Sequence, residues 1–297
     1  MLQRIQYHAS HAFAPIFRYT PQHKVKDCPY CFDRIRHQSD HIQLNVPLVQ
    51  HENILTSSQM TRISLCLAPS YTHSSQHETL PHAGTQGLEL QQLHREYAQC
   101  KVSRLLMDQS DYIHPSRTNL LNELRILLTS MKIRDRLLLS VSGYNKSGAL
   151  VTSDDEVFTS MDFLTLVHSI DKLLSLWVMI DLSPPTPFVH LPFRYTMDRE
   201  RKRIQLQKVE ATVETGIRLH ILTYTTTGKV VEEKEPIPFP PGWCMQIYMD
   251  IMKEYKYRLC VATLLEKLSD RMNPHGMAPL ILTNYLLSPK NTYFGFG

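Results

Sequence analysis

Near the start of the chain, Cys28, Cys31, His37 and His41 have the types and spacing of a metal site. Cys28-Pro-Tyr-Cys31 is a knuckle spacing of two thiols. A helix starting after Cys31 would put His37 and His41 one turn apart on the same face. Two thiolates and two imidazoles could then close a tetrahedral zinc site. Only five residues separate Cys31 from His37, where the familiar finger has about twelve, so the site would be compact. Eleven of the fifteen histidines precede residue 115. A solvated histidine run beside two free surface thiols is therefore the competing reading.

Cys-Pro-Tyr-Cys is also identical to the glutaredoxin active-site tetrapeptide. That fold places an apolar strand before its cysteines, whereas His23-Lys-Val-Lys-Asp27 precedes this pair. Nothing downstream looks like its Thr-Val-Pro or Gly-Gly segments, so the thioredoxin-like reading fails. A second cluster is cationic: Arg199, Arg201, Lys202 and Arg203, with Lys208 and Arg218 further on. It suits phosphates or anionic headgroups; the alternative is a solvated strand end. Aromatic residues do not interleave with it, which argues against a platform for stacking bases.

Other chemistry is sparse. There is no Gly-x-Gly-x-x-Gly, P-loop, Gly-x-Ser-x-Gly or His-Glu-x-x-His,. Ten glycines in 297 residues leave little material for phosphate-cradling loops. Asp154-Asp155-Glu156 reads as a charged turn before a helix. Asp181 and Asp198 flank a proline-rich break without a visible partner. His168 and His220 read as a half-buried histidine within a helix and a histidine on the polar face of a strand.

The elements that would position these residues are unevenly marked. Ser116 to Asn119 offers capping side chains, and Leu120, Leu121, Leu124, Leu127, Leu128 and Met131 recur at helical spacing,. A short strand follows from Arg136 to Tyr144. Phe163, Leu164, Val167, Ile170, Leu173, Leu174 and Trp177 share one helical face. The run Leu176 to Asp181 reads either as the last turns of that helix or as a buried strand. Ile204 to Lys234 has the longest strand chemistry, with Ile217, Leu219 and Ile221 alternating with Arg218 and His220. Gly216 and Thr226 to Lys229 supply turns, so three strands in series are predicted. A third helical region runs from Trp243 to about Arg271, with a junction near Lys256 to Arg258. Ala278 to Leu287 adds a strand or a short helix.

The chain is 42% apolar and 20% charged, with a formal net charge of +4. That mild charge permits nucleic acid or anionic lipid as a partner without requiring either. Six scattered cysteines are too few for a disulfide scaffold and suit a reducing compartment. The apolar runs are too short for a membrane span, and the N-terminus lacks the features of a secretory signal. Residues 1–112 are polar and histidine-rich, and a largely irregular, partly disordered arm is predicted there. One helical island is expected within Leu88 to Asp108. Residues 113–297 are predicted as a single α+β core, an antiparallel β-meander packed against two or three helices.

That layout resembles the matrix proteins of rhabdoviruses across roughly residues 116–270. The segments that carry the resemblance are Leu137-LLSVSGYNKS, Ser160-MDFLTLVHSIDKL and Phe193-RYT through Ile217-RLHILTYTTTG. It departs from that family in having a histidine-rich rather than lysine-rich arm and no Pro-Pro-x-Tyr motif. The resemblance implies a non-enzymatic viral structural protein that self-associates and bridges nucleocapsid, as ribonucleoprotein, to an anionic membrane. It would reside in the virion and in the host-cell cytoplasm, nucleus or inner membrane face. No small-molecule substrate or cofactor other than zinc is expected. The alternative is a zinc-containing, nucleic-acid-associated accessory or regulatory protein.

Overall fold

A computed structural model describes residues 60–198, 202–211, 213, 215–226 and 240–293. These residues form a mixed α/β fold around a ten-stranded sheet. The order along the chain is β1 (Arg62–Ala68), α1 (Ala83–Glu96), β2 (Val102–Met107), α2 (Arg117–Ser130), β3 (Arg136–Lys146), β4 (Ala149–Val151) and β5 (Val157–Phe158). Then come α3 (Ser160–His168), β6 (Ser175–Ser183), β7 (Phe193–Asp198), β8 (Arg203–Lys208) and β9 (Arg218–Thr226). Finally come α4 (Trp243–Glu254), α5 (Val261–Met272) and β10 (Met277–Thr283). Across the sheet the strands run β2-β1-β3-β6-β9-β10-β7-β8, with β4 and β5 branching from β3. β2, β1, β3, β6 and β9 are parallel; β10 is antiparallel to both β9 and β7, and β7 and β8 form an antiparallel pair.

Strand alternation feeds two apolar layers. Leu65, Leu139, Val178 and Ile221 face one layer with Leu120 and Leu124 of α2 and Phe163 of α3. Cys66, Leu138, Trp177 and Leu222 face the other with Leu90 of α1, Tyr248 of α4 and Leu265 of α5. The central strands are thus buried on both faces, as parallel strands between helical layers must be. α2 is the helix that Ser116 and its leucines predict: the Ser116 side chain accepts from Asn119 N. α3 carries a full capping box at Thr159 and Asp162,.

Three expectations are corrected. Ile204 to Lys234 is not a meander within the described residues. β8 pairs with β7, while β9 lies between β6 and β10. The alternation around Ile217 looked half-buried because Arg218 and His220 are polar, yet His220 is only 2% exposed, stacked on Trp177 at 3.6 Å between ring centroids. The second helix stops at His168, and the run after it is β6, a continuous apolar stretch of the kind a doubly covered strand needs,. The core also reaches further back than residue 113: β1, α1 and β2 are part of the sheet and its cover. The junction expected near Lys256 to Arg258 separates α4 from α5, with positive φ at Lys256 and Tyr257.

Candidate functional site

In an open α/β sheet, ligands gather at the carboxyl ends of the strands where the strand order reverses. Here the chain passes from β1 outward to β2 and then back across β1 to β3, so the crevice lies between the ends of β1 and β3. β1 ends at Ala68 and leads through Pro69 and Ser70 to Tyr71; β3 brings Gly143 and Tyr144; the neighbouring β6 ends at Asp181, Leu182 and Ser183. The parallel register sets Tyr144 directly beside Ser183. Asn145 ties the two strand ends together, donating from Nδ2 to Pro184 O at 2.7 Å.

The crevice is filled by the protein's own side chain. Tyr71 is 1% exposed. Its hydroxyl donates to Val151 O at 2.7 Å and accepts from Tyr144 N at 3.0 Å. Burial pushes its phenol well above the usual range, so it remains a proton donor. Gly143 permits the insertion, because a Cβ there would lie 2.5 Å from the Tyr71 hydroxyl oxygen. Tyr71 has φ +57°, a conformation that strains a bulky residue and that its surroundings must enforce. Those surroundings are visible. Asp108 Oδ2 accepts from Ser70 N at 2.7 Å, Ser70 Oγ at 2.9 Å and Tyr71 N at 3.1 Å. Ser74 Oγ donates to Asp155 Oδ1 at 2.5 Å. Outside Tyr71, His77 stacks on Tyr144 with centroids 4.8 Å apart.

The cysteines among the described residues are enclosed. Cys66, Cys100, Cys244 and Cys260 are all buried and free. Burial raises the thiols of Cys66 and Cys244 far above their usual range and that of Cys100 to about 12. A thiolate is the reactive form, and these stay protonated. The serine at the crevice, Ser183, is 2% exposed.

A serine, a histidine and an aspartate do meet nearby. His114 Nε2 lies 3.2 Å from Asp108 Oδ1, at ion-pair distance but out of hydrogen-bond alignment. Ser153 Oγ lies 3.4 Å from His114 Nδ1 and 3.3 Å from Nε2. A proton relay needs the carboxylate on one ring nitrogen and the hydroxyl on the other. Ser153 Oγ is nearly equidistant from the two ring nitrogens, so its hydroxyl is not directed at the nitrogen away from Asp108, and Asp108 Oδ1 makes no aligned hydrogen bond to the ring.

Asp181, which the sequence left without a partner, is fully buried and points into the layer of α4. It accepts from Tyr224 Oη at 2.5 Å and from Met245 N at 2.6 Å, where a carboxylate suits the free N–H groups of a helix start. Burial nevertheless dominates and raises its carboxyl to about 6, against the pull of the Tyr224, Met245, Cys244 and Gly242 donors.

Arg199 and Arg201 lie outside the described residues. Lys202 lies in the turn before β8 with positive φ, Arg203 opens β8 and ion-pairs with Asp198 at 3.9 Å, and Lys208 closes it, while Arg218 begins β9, three strands inward. The Arg218 guanidinium lies over the Tyr285 ring at 5.4 Å. Cys28, Cys31, His37 and His41 lie outside the described residues. Among the described residues no three histidine, cysteine or acidic side chains group as metal ligands, and no helix is long and apolar enough to cross a membrane. Sequence reasoning missed Tyr71, Tyr144 and Ser183. Their association depends on a register between strands far apart in the chain, and the one local signal was the Ser142-Gly143-Tyr144 break at the end of an apolar strand.

No protein-family model and no curated protein matches the chain. Solved structures do. The chain is similar to protein GSU0716 of Geobacter sulfurreducens, with a TM-score of 0.53, 11% identity, and coverage of 78% of this chain and 97% of that one. It is also similar to caspase-1 of Spodoptera frugiperda, with a TM-score of 0.50, 10% identity, and coverage of 75% and 88%. At these identities the likeness is one of fold alone.

Proposed function

We propose that this protein is a non-enzymatic interaction protein built on an α/β sheet similar to that of caspase-1. The observation that carries the reading is the closed crevice: Tyr71 fills the switch point, and Tyr144 and Ser183 stand side by side where a nucleophile and its base would be sought. The caspase signature around the nucleophilic cysteine, Gln-Ala-Cys-[Arg/Gln/Gly]-Gly, does not occur in the sequence. A strained, buried tyrosine tied by two hydrogen bonds makes the crevice a packed junction, and function moves to the outer surfaces. Self-association and contact with ribonucleoprotein or anionic membrane are the roles that the matrix-like layout implies. Lys202, Arg203 and Lys208 are the exposed cations that would serve them.

The test is to incubate the purified full chain with a fluorophosphonate probe and with a mixed library of peptide substrates, and to map any adduct by mass spectrometry. No modification of Ser183 or Ser153 and no turnover above a boiled control are expected. Stoichiometric labelling of either serine, or saturable turnover, would overturn the proposal.

A further inference from the structure

We infer that the amino end of the sheet docks on an anionic membrane: Val102, Ile133 and Leu173 enter its headgroup region, and the lysine beside each meets its acidic lipids. This rests on the interaction role proposed above and names the surface for its membrane contact.

Three connections reach the amino end of the sheet. Lys101 leads into β2, residues 131–135 join α2 to β3, and residues 169–174 join α3 to β6. Each sets an aliphatic side chain directly after a lysine: Lys101-Val102, Lys132-Ile133 and Lys172-Leu173. Val102 is 39% exposed, Ile133 64% and Leu173 38%. The second and third connections are tied together. Arg134 N donates to Leu173 O at 3.1 Å. Lys172 Nζ donates to Thr129 O at 2.6 Å and to Met131 O at 2.9 Å, carbonyls at the end of α2 where a cation is favourable.

Spacing and charge select the occupant. Along the order β2-β1-β3-β6 the three sites span three strand spacings, which is about 14 Å. Single aliphatic side chains spread over that distance, each beside a cation, do not make the charge-depleted apolar core that a protein partner buries. They are not aromatic, so they offer no surface on which bases stack. A headgroup layer suits them, because it admits separate aliphatic tips and attracts the cations between them. Residues 101–102, 131–136 and 171–173 hold five cations and two acids. Of the acids, Asp135 is buried and accepts from Thr61 N at 2.8 Å and Lys132 N at 2.7 Å, while Asp171 is exposed beside Lys172. Asp108, Asp154, Asp155 and Glu156 lie at the opposite, carboxyl end of the sheet, so the field of an anionic surface favours approach by the amino end.

The experiment is flotation of the full chain with vesicles of phosphatidylcholine and phosphatidylserine, compared with vesicles of phosphatidylcholine alone. Melting temperatures are measured in parallel. Binding should be at least about tenfold tighter to the anionic vesicles, as expected for two or more lysines near an anionic surface. Ile133→Asp should weaken it by about tenfold or more, through loss of an inserted aliphatic group and gain of a repelled charge. Its melting temperature should be unchanged, because Ile133 is exposed. Lys132→Glu should weaken binding by about fivefold or more. Equal binding to both vesicles, or none, would overturn the inference. So would a loss of binding with Lys132→Glu that Ile133→Asp does not share, which would show attraction to charge without insertion. A lower melting temperature for Ile133→Asp would mean that the protein's own chain covers this tip, and would overturn it as well. Binding of a single-stranded RNA with no flotation would assign the cations to nucleic acid instead. None of these failures alters the serine-labelling result that tests the closed crevice.

Discussion

Asp181 and the buried histidines pull stability in opposite directions as pH falls. The Asp181 carboxyl is raised to about 6 by burial, so between pH 4 and 6 the folded chain holds a proton that the unfolded chain has released. Its contribution to stability is fully present below pH 4 and is lost as pH rises through 6. His94 and His220 are lowered to about 3 by burial. Their contribution is present above pH 6.5 and is lost as pH falls toward 3, because the unfolded histidines take up protons first. Asp181 therefore offsets part of the acid loss caused by the histidines. In an Asp181→Asn variant the fall in unfolding free energy from pH 7 to pH 5 should be steeper than in the parent by about 1 kcal/mol. Urea unfolding at the two pH values measures this, and equal slopes would assign Asp181 an ordinary carboxyl. The sequence showed Asp181 and His220 as residues, but their burial follows from strands covered on both faces, which one-sided alternation does not reveal.

At the scale of elements, legibility tracked how local each signal was. α2 could be read from Ser116 and five leucines because cap and stripe lie within fifteen residues,. β6 was ambiguous because a buried apolar run has no period of its own. β1 and β2 were lost in the polar, histidine-rich stretch: Arg62-Ile-Ser-Leu-Cys-Leu-Ala68 is a strand only because α1 and α2 cover its two faces. The contact of α1 with that strand pair is close enough to test. A Cβ on Gly87 would lie 2.7 Å from Ala68 Cβ and 3.0 Å from Leu105 Cδ1, whereas one on Gly84 would meet first the flexible end of Gln109 at 3.2 Å. Gly87→Val should cost about 1–3 kcal/mol through overpacking. Gly84→Ala, in the same helix, should be neutral or stabilising by up to about 1 kcal/mol. Comparable denaturation midpoints for the two variants would mean that α1 does not press on β1 and β2 as described.

For the whole molecule, among the described residues, the crevice at the sheet's switch point is closed by Tyr71. The candidate site was hardly legible in the sequence. The eye-catching groups, Cys28, Cys31, His37 and His41, lie outside the described residues, while Tyr71, Tyr144 and Ser183 gain meaning only from strand order and register. The most direct test that this sheet, similar in fold to that of caspase-1, presents no reactive thiol among its described cysteines is native thiol labelling, followed by mass spectrometric mapping before and after denaturation. Cys66, Cys100, Cys244 and Cys260 should remain unmodified in the native protein over hours and react fully in denaturant. Labelling of any one of these four in the native state, at the rate of a free thiol or faster, would reveal an accessible nucleophile and contradict the account.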